Sequence, residues 1–293
     1  MTDEENFDVV SPTAVLCARA RADITFMPYA REIYEQIKGQ ECCLDTLYPV
    51  LMRLARLFPN WFAKAGTLEG RYASTNAALD RLGDCNILEL AAGISPRGLE
   101  YADGNRIYVE TDLPEILVEK ERIVRAIRER EGRLVKNHFF DSVNVVNDNL
   151  EQVSKHFMTS SKPVTIIHEG LWTYLKRDEQ AKARDNIAGF LRRHSSNGAW
   201  ITPDFSYASS LTRDNSLVGL AKWRIKRTTR RGDRFNSEQE VHDFLREAGL
   251  RAEVLPNEHL AEKLSCVGIL GLDVERVRKH IRDCRAWYIT LQN

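Results

Sequence analysis

The chain has 293 residues, with 42 basic and 42 acidic side chains and a hydrophobic fraction of 43%. Because the formal net charge is zero, no overall electrostatic field attracts nucleic acid or an acidic membrane, and a polyanionic partner would need a local basic patch. The length suits either two domains or one α/β domain with a helical cap. The composition favours a small-molecule or protein substrate.

The sequence lacks the patterns of membrane-spanning, exported and metal-binding proteins. No stretch approaches about 18 uninterrupted apolar residues, and the start of the chain is acidic where a signal peptide would be basic. We therefore expect a cytoplasmic protein. The six cysteines form no C-x-x-C pair and are expected to be free thiols. The seven histidines form neither H-x-x-x-H nor H-E-x-x-H, so we expect no metal site.

The first part of the chain, from Ser11 to about Leu82, has the apolar spacing of helices and no convincing strand pattern. Prolines at positions 12, 28, 49 and 59 divide this region into short segments. We expect residues 1–85 to form a cap of several helices that belongs to the same globule as the rest of the chain.

Short apolar runs alternate with amphipathic helical stretches from Asn86 onward. The predicted strands cover residues 87–92, 107–110, 134–140, 164–168, 199–203, 252–255 and 286–291. The predicted helices include 113–131, 177–193 and 237–248, the last with Ser237 as N-cap and Glu240 three residues later. This alternation predicts an α/β fold with a doubly wound parallel sheet over residues 86–293. An insertion at about 205–235 fits neither pattern.

The stretch NILELAAGISPRGLE, residues 86–100, joins the first predicted strand to the first helix after it. Ser95 and Pro96 are predicted as N-cap and first helical residue, and Gly98 allows close packing. In a doubly wound sheet this turn lies at the switch point where nucleotide-like ligands bind. An ordinary strand-to-helix turn is the alternative interpretation.

The chemistry of this turn favours a cationic ligand. Ala91, Gly93 and Pro96 occupy the three places that glycines take in a G-x-G-x-x-G pyrophosphate turn, which argues against NAD. Glu89, at the entrance to the turn, suits a sulfonium or an amino-acid ammonium better than a pair of phosphates.

Two further acidic motifs follow predicted strands. In YVETDLP, Glu110 is the candidate that accepts hydrogen bonds from ribose hydroxyls, whereas Asp112 is expected to cap the next helix. In HEGLWTYL, Glu169 is the candidate acceptor for a ligand ammonium. Trp172 and Tyr174 are expected to line the transfer pocket, with core aromatic residues as the alternative.

Seven motifs occur in order along the chain. They are SPTAVLCARARAD, EGRYASTNAALD, ELAAGISPRG, YVETDLP, HEGLWTYL, WITPDF and AWYITL. In this combination the chain resembles the leucine carboxyl methyltransferase superfamily, and within it the bacterial branch that includes tetracenomycin-type polyketide O-methyltransferases. The resemblance spans residues 11–291. It implies a class I methyltransferase fold, which is a Rossmann-like, doubly wound, seven-stranded sheet with an N-terminal helical cap, and S-adenosyl-L-methionine as cofactor.

The resemblance also implies roles for individual residues. Gly93 falls on the glycine of the cofactor turn, and Glu110 on the acid that binds the ribose. Glu169 falls on the acid that contacts the methionine end, and Arg71 on an arginine that meets the cofactor carboxylate. The complete set of expected cofactor contacts is Arg71, Glu89, Ala91, Gly93, Glu110, Thr111, Asn144, Val145 and Glu169.

Two parts of this correspondence leave alternatives open. The adenine-binding position falls near Asn144 and Val145, with Asn147 and Asp148 as rival registers. The basic position near the N-terminus falls on Arg19 or Arg21. The usual aspartate-proline spacer before Pro28 is missing, so the substrate does not follow from the resemblance.

The implied activity is methyl transfer to a carboxylate or hydroxyl of a small molecule, such as a polyketide, or of a protein C-terminus. A carboxylate, with a pKa of about 4, needs no base, whereas a phenol or alcohol needs one, for which His168 and Tyr174 are the candidates. His168 is alternatively a core histidine. A non-catalytic S-adenosylmethionine-binding protein and a nicotinamide-dependent reductase are the competing functions.

The run from Arg224 to Arg234 carries six cations against Asp233 alone. A solvated helix face, a gate for an acidic substrate and an RNA-binding strip are the three interpretations. We expect this run to form part of a mobile lid over the acceptor pocket. A small-molecule acceptor is the expected partner, and a nucleic acid or a membrane is not.

Overall fold

A seven-stranded, mainly parallel sheet forms the centre of the protein. The computed structural model describes residues 12–38, 48–57, 63, 66–133, 135–205, 207 and 232–292. The strands are β1 (Asn86–Leu90), β2 (Tyr108–Asp112), β3 (His138–Ser142), β4 (Val164–His168), β5 (Ala199–Thr202), β6 (Leu250–Val254) and β7 (Trp287–Leu291). Their order in the sheet is β3-β2-β1-β4-β5-β7-β6, and only β7 is antiparallel to its neighbours.

Helices before and between the strands cover the sheet. Those before β1 are α1 (Pro12–Ile24), α2 (Ala30–Ile37), α3 (Tyr48–Leu57) and α4 (Gly66–Leu82). Those within the sheet region are α5 (Arg97–Tyr101), α6 (Pro114–Arg130), α7 (Glu151–Ser154), α8 (Arg177–His194), α9 (Glu238–Arg246), α10 (Ser265–Leu270) and α11 (Val274–Ile281).

This architecture confirms the expected class I methyltransferase, Rossmann-like fold. Each of the seven predicted strands is present, and β4 has the predicted bounds. The predicted second strand ends two residues too early, because the pairing with β3 continues past the apolar run to Asp112 and Ser142. At α9, Ser237 is the N-cap as predicted, and its side chain accepts a hydrogen bond from the Glu240 amide.

The strands could be predicted from apolar runs in the sequence because both faces of the central strands are buried. Every residue of β1 and of β4 is buried. Successive residues of a strand point to opposite faces, so Leu88 belongs to the core beneath α8 and Ile87 to the core beneath α4. Such strands appear in the sequence as nearly continuous apolar runs.

Helix α4 packs against the helices that precede β7. A Cβ atom at Gly66 would lie 2.8 Å from Val277, and one at Gly70 would lie 2.7 Å from Ile281, so both glycines allow close approach to α11. The carboxylate of Glu69 accepts hydrogen bonds from the backbone amides at the start of α10. The division of the chain into a cap of residues 1–85 and a domain of residues 86–293 stays a prediction.

Part of the predicted insertion lies outside the described residues, namely 206 and 208–231. At its two ends Tyr207 and Phe235 form a parallel bridge. Within the described ranges, no helix is long and apolar enough to cross a membrane, and no group of three or more His, Cys, Asp or Glu side chains could hold a metal ion. Free thiols are present at Cys17, Cys85, Cys266 and Cys284, and Cys42 and Cys43 lie outside the described residues.

Candidate functional site

The turn after β1 has an unusual backbone that brings it close to the end of β2. Ala91 and Gly93 have φ values of 50° and 51°, in the left-handed region. The Ala92 amide donates to the Thr111 carbonyl at 2.9 Å, while the Thr111 hydroxyl donates to the Glu89 carbonyl at 3.1 Å. The two strand ends are therefore joined by one backbone hydrogen bond and one that the Thr111 side chain donates.

The helix after the turn begins one residue later than predicted. Pro96 is the N-cap and makes no side-chain cap hydrogen bond, and α5 begins at Arg97. The Ser95 hydroxyl accepts from the Arg97 amide at 3.3 Å, so Ser95 is part of the turn and is not the cap residue itself.

Asp112 is the acidic residue that contacts the turn. One of its carboxylate oxygens accepts from the Gly93 amide at 2.7 Å, and the other accepts from the Leu113 amide at 2.8 Å. Burial raises its pKa, against the lowering effect of these two amides. The expected role as a helix cap was wrong, because Leu113 is the N-cap of α6 and no side chain caps it.

Glu110 lies deeper, in an internal ion-pair network. It is 0% exposed, with one oxygen 2.7 Å from His138 Nε2 and the other 2.6 Å from Lys120 Nζ. A Cβ atom at Gly98 would lie 2.7 Å from its carboxyl carbon, so Gly98 allows the close packing that was predicted. Burial alone would raise the pKa of Glu110, but Lys120 and His138 hold it below its ordinary value. Both oxygens of Glu110 face partners inside the protein, and its contact with the ribose stays a prediction.

Glu89 is also engaged inside the protein. It is 1% exposed, one oxygen lies 2.9 Å from Arg97 Nη1, and the other accepts from the Tyr108 hydroxyl at 2.7 Å. Burial raises the pKa of Glu89, against the lowering effect of Arg97. The charge of Glu89 is thus compensated by Arg97, and its role toward a cationic ligand stays a prediction.

Arg97 connects the turn to the end of β4 and was not singled out by the sequence analysis. Its side chain is 0% exposed, and Nη2 lies 2.9 Å from Glu169 Oε2. Nε donates to Asn76 in α4 at 2.9 Å, and the guanidinium lies 4.3 Å from the ring centroid of Tyr72. The only signal in the sequence was its position at the start of the helix that follows the turn.

Glu169 lies between two arginines. Its second oxygen, Oε1, accepts from Arg21 Nη2 at 3.2 Å. Burial alone would raise the pKa of Glu169, but the charges of Arg97, Arg21 and Arg71 hold it below its ordinary value. Of the two basic candidates near the N-terminus, Arg21 reaches this site, whereas the guanidinium of Arg19 lies 4.2 Å from the ring centroid of Tyr48.

Arg71 meets a carboxylate that the sequence analysis did not consider. Its Nη2 lies 2.6 Å from Asp204 Oδ1, while its Nε is buried and has no hydrogen-bond partner in the described part of the chain. Charge from Asp204 and then Glu169 raises the pKa of Arg71, against the lowering effect of burial, which is the largest single influence.

The two candidate bases lie in different surroundings. His168 is fully buried, and its Nδ1 lies 2.9 Å from Asp204 Oδ2. Its ring stacks on that of Trp172 with centroids 5.0 Å apart, and Trp172 itself is buried in the core. Tyr174 is 41% exposed, and partial burial raises its pKa. The core interpretations of His168 and Trp172 agree with this packing.

The loop after β3 closes on itself through Asp148. The Asn144 amide donates to Asp148 Oδ2 at 2.7 Å, and the Asn144 side chain accepts from the Val146 amide at 3.1 Å. Val145 is buried, and its carbonyl accepts from Asn186 at 2.9 Å. The adenine-binding role of Asn144 and Val145 stays a prediction, as does the role of the basic run, of which residues 224–231 lie outside the described residues.

Comparison with known proteins gives matches at the level of structure. No protein-family model and no curated protein matches the sequence. A DUF574 family protein from Streptomyces avermitilis has a TM-score of 0.55 at 12% identity, covering 96% of this chain and 97% of that chain. This likeness shows a shared fold over nearly the whole chain.

Two methyltransferases of known structure are similar at lower scores. Human N-acetylserotonin methyltransferase, solved with S-adenosylmethionine, has a TM-score of 0.47 at 10% identity and covers 98% of this chain and 72% of that chain. Mitomycin 7-O-methyltransferase has a TM-score of 0.47 at 14% identity and covers 97% and 73%.

Proposed function

We propose that this protein binds S-adenosyl-L-methionine and transfers its methyl group to an oxygen atom of a small-molecule acceptor. One observation carries the proposal: the Gly93 turn, at the switch point of a methyltransferase-like sheet, bonds to the Asp112 carboxylate and leads directly into the cluster of Arg97, Glu169 and Arg21. The ribose hydroxyls of the cofactor need hydrogen-bond acceptors at one end of the site. The zwitterionic amino-acid group of the cofactor needs a positive and a negative side chain at the other end.

At the nucleoside end we assign the ribose to Asp112 in place of Glu110. Two backbone amides fix the Asp112 carboxylate, and each of its oxygens retains a lone pair for a hydroxyl group. Gly93 adds no side chain to the turn, so a ligand can approach the backbone closely. Ala91, Thr111, Asn144 and Val145 stay as the proposed neighbours of the nucleoside.

At the methionine end we assign the carboxylate to Arg71 and Arg21. In both side chains Nε is buried and has no hydrogen-bond partner in the described part of the chain, so each retains a donor for an anion. A guanidinium can meet a carboxylate with two parallel hydrogen bonds. Glu169, whose lowered pKa keeps it ionised at neutral pH, is the proposed acceptor for the ammonium group.

When bound, the cofactor supplies an activated methyl group, and the protein supplies orientation and exclusion of water, which together can lower a barrier by about 7 to 11 kcal/mol. The candidate bases support a carboxylate acceptor over a hydroxyl. His168 is packed against Trp172 in the core, and the raised pKa of Tyr174 keeps its phenol protonated at neutral pH. A carboxylate needs neither, because it is ionised at neutral pH.

This proposal agrees with the resemblance to the leucine carboxyl methyltransferase superfamily. A small carboxylic acid is the proposed acceptor, and a protein C-terminal carboxylate is the alternative acceptor of the same chemistry. A non-catalytic role in binding S-adenosylmethionine is the competing function that uses the same residues.

Calorimetry with S-adenosylmethionine, S-adenosylhomocysteine and NADPH tests the cofactor. We expect heat from the first two ligands and none from the third, and heat from NADPH alone would support a nicotinamide reductase. Transfer of a labelled methyl group to a panel of small carboxylic acids, with the matching alcohols and phenols as controls, tests the reaction. Binding without transfer to any member of the panel would favour the non-catalytic role.

A further inference from the structure

Asp204 lies two residues after the end of β5, within the motif WITPDF, and its carboxylate accepts four hydrogen bonds. The donors are Arg71 Nη2 at 2.6 Å, His168 Nδ1 at 2.9 Å, the Gly170 amide at 2.8 Å and the Trp172 amide at 3.2 Å. The Asp204 side chain is 0% exposed. A buried carboxylate with this many donors remains ionised, in agreement with its strongly lowered pKa.

Three of these donors surround Glu169 in the sequence. His168 precedes Glu169, Gly170 follows it, and Trp172 lies two residues after Gly170. Gly170 has a φ of 90°, which most residues with a side chain avoid, so the backbone changes direction directly after Glu169. Asp204 thus fixes the loop that presents Glu169 from both sides.

The fourth donor belongs to a different part of the protein. Arg71 lies on α4, and its side chain, 28% exposed, has one nitrogen bound by Asp204 while Nε is left without a partner in the described residues. A long arginine side chain otherwise has many rotamers, and fixing it before a ligand arrives reduces the entropy lost on binding. Asp204 therefore holds the guanidinium and the Glu169 loop in a fixed relation.

We propose that Asp204 is a positioning residue for this site, acting through Arg71 and through the loop of Glu169 on the amino-acid end of the cofactor, an inference that rests on the proposed function. In this role Asp204 does not touch the ligand. It follows that the loss of its charge should affect ligands that carry the amino-acid group and spare those that consist of the nucleoside alone.

A purely structural role for Asp204 would have a different signature. A buried carboxylate that only stabilises the fold would lower the thermal stability and weaken all ligands alike. Glu69, on the same helix as Arg71, provides the matched control. It also accepts several hydrogen bonds, from Ser265 and from the Cys266 amide, but it does so at the start of α10.

The experiment measures dissociation constants for S-adenosylhomocysteine and for adenosine by calorimetry. The variants are Asp204→Asn, Arg71→Ala, the double variant, and Glu69→Gln as the control. We expect Asp204→Asn and Arg71→Ala each to weaken S-adenosylhomocysteine by about tenfold or more while adenosine changes by less than about twofold. Both substitutions remove the same interaction. The dissociation constant of the double variant should therefore be close to that of the single variant that binds S-adenosylhomocysteine more weakly. Glu69→Gln should leave the ratio of the two constants unchanged.

Two results would overturn the proposal: equal weakening of both ligands by Asp204→Asn, or full additivity with Arg71→Ala.

If circular dichroism shows that Asp204→Asn does not fold, the same cycle is run with Thr202→Val. This variant removes the hydroxyl that accepts from the Asp204 amide at 3.1 Å and keeps the carboxylate charge. It should weaken S-adenosylhomocysteine selectively, and additivity would again contradict the proposal. A wild-type protein that binds neither ligand would instead contradict the proposed function.

Discussion

The guanidinium of Arg97 and the carboxylate of Glu169 meet at 2.9 Å where the ends of β1 and β4 lie side by side, with side chains 0% and 8% exposed. The same guanidinium binds Glu89 at 2.9 Å. One cation from the start of α5 therefore compensates two buried carboxylates, Glu89 on β1 and Glu169 directly after β4. Removal of that cation would leave both carboxylates without their principal partner.

We expect Arg97→Met to lower the free energy of unfolding by about 3 to 5 kcal/mol, because it leaves buried charges uncompensated. Arg125→Met is the control, since Arg125 pairs with Glu121 on the surface of α6, with side chains 68% and 45% exposed. Loss of such a surface pair changes stability by at most about 1 kcal/mol. Urea unfolding measures both variants, and similar losses would show that the Arg97 network adds little.

Asp112→Asn should mainly change ligand binding, whereas Glu110→Gln should mainly change stability. If Asp112 binds the ribose, Asp112→Asn should weaken S-adenosylhomocysteine by about 1.5 to 3 kcal/mol, which is about tenfold to more than a hundredfold, because a charged acceptor is lost. Glu110→Gln should mainly lower stability, because Lys120, 1% exposed, loses its carboxylate partner.

Calorimetry and thermal unfolding of the two variants distinguish the acids. A normal dissociation constant for Asp112→Asn, together with a weakened one for a folded Glu110→Gln, would restore the original assignment of the ribose to Glu110. Adenosine should follow the same pattern as S-adenosylhomocysteine here, since both ligands carry the ribose.

Alanine at two glycines of the turn region should separate backbone strain from steric overlap. Gly93 has positive φ but open space around its Cβ position, so Gly93→Ala should lower stability by about 1 to 2 kcal/mol. A Cβ at Gly98 would lie 2.7 Å from the Glu110 carboxyl carbon and 2.8 Å from His138 Nε2. Gly98→Ala should therefore be clearly more destabilising, and chemical unfolding that ranks the two in the reverse order would argue against this packing of Glu110.

Stability should fall as the pH drops below about 4.5. The carboxyls of Glu110, Glu169 and Asp204 have pKa values below their ordinary ones in the folded protein. The stability that they contribute is present above their unfolded pKa values, 4.5 for Glu and 3.8 for Asp, and is lost as the pH falls through the folded values. Glu89 and Asp112, whose pKa values are raised by burial, act in the opposite direction.

Urea unfolding at several pH values checks this expectation. In Glu110→Gln the decline in stability between about pH 5 and pH 3 should be shallower than in the wild type, because one of the titrating groups has been removed. An unchanged decline would mean that Glu110 does not contribute to it.

The sheet could be predicted from the sequence because buried parallel strands leave apolar runs, and Val164–His168 was found with its bounds. The choice between Glu110 and Asp112 as ribose acceptor could not be predicted, because it depends on where the pairing between the strands stops. The apolar run ends at Glu110, whereas the pairing of β2 with β3 continues to Asp112. Hydrophobic spacing contains no information about that difference.

The ion pairs of the site were beyond sequence reasoning for another reason. Arg71 is 133 residues from Asp204, and Arg21 is 148 residues from Glu169. Charged residues on amphipathic helices usually lie in solvent, so nothing local marked Arg97 as buried. The resemblance pointed to Arg71 and to Arg19 or Arg21, but it did not supply their carboxylate partners.

The contact between Glu69 and the start of α10 joins positions 197 residues apart. During synthesis, α4 therefore leaves the ribosome long before the helices that cover its Gly66 and Gly70 face. Until then that face has no native partner, and contacts of such long sequence separation form slowly. The N-terminal helices should thus be the part of the nascent chain that depends most on chaperones, and a truncation before residue 265 should leave α4 without its packing surface.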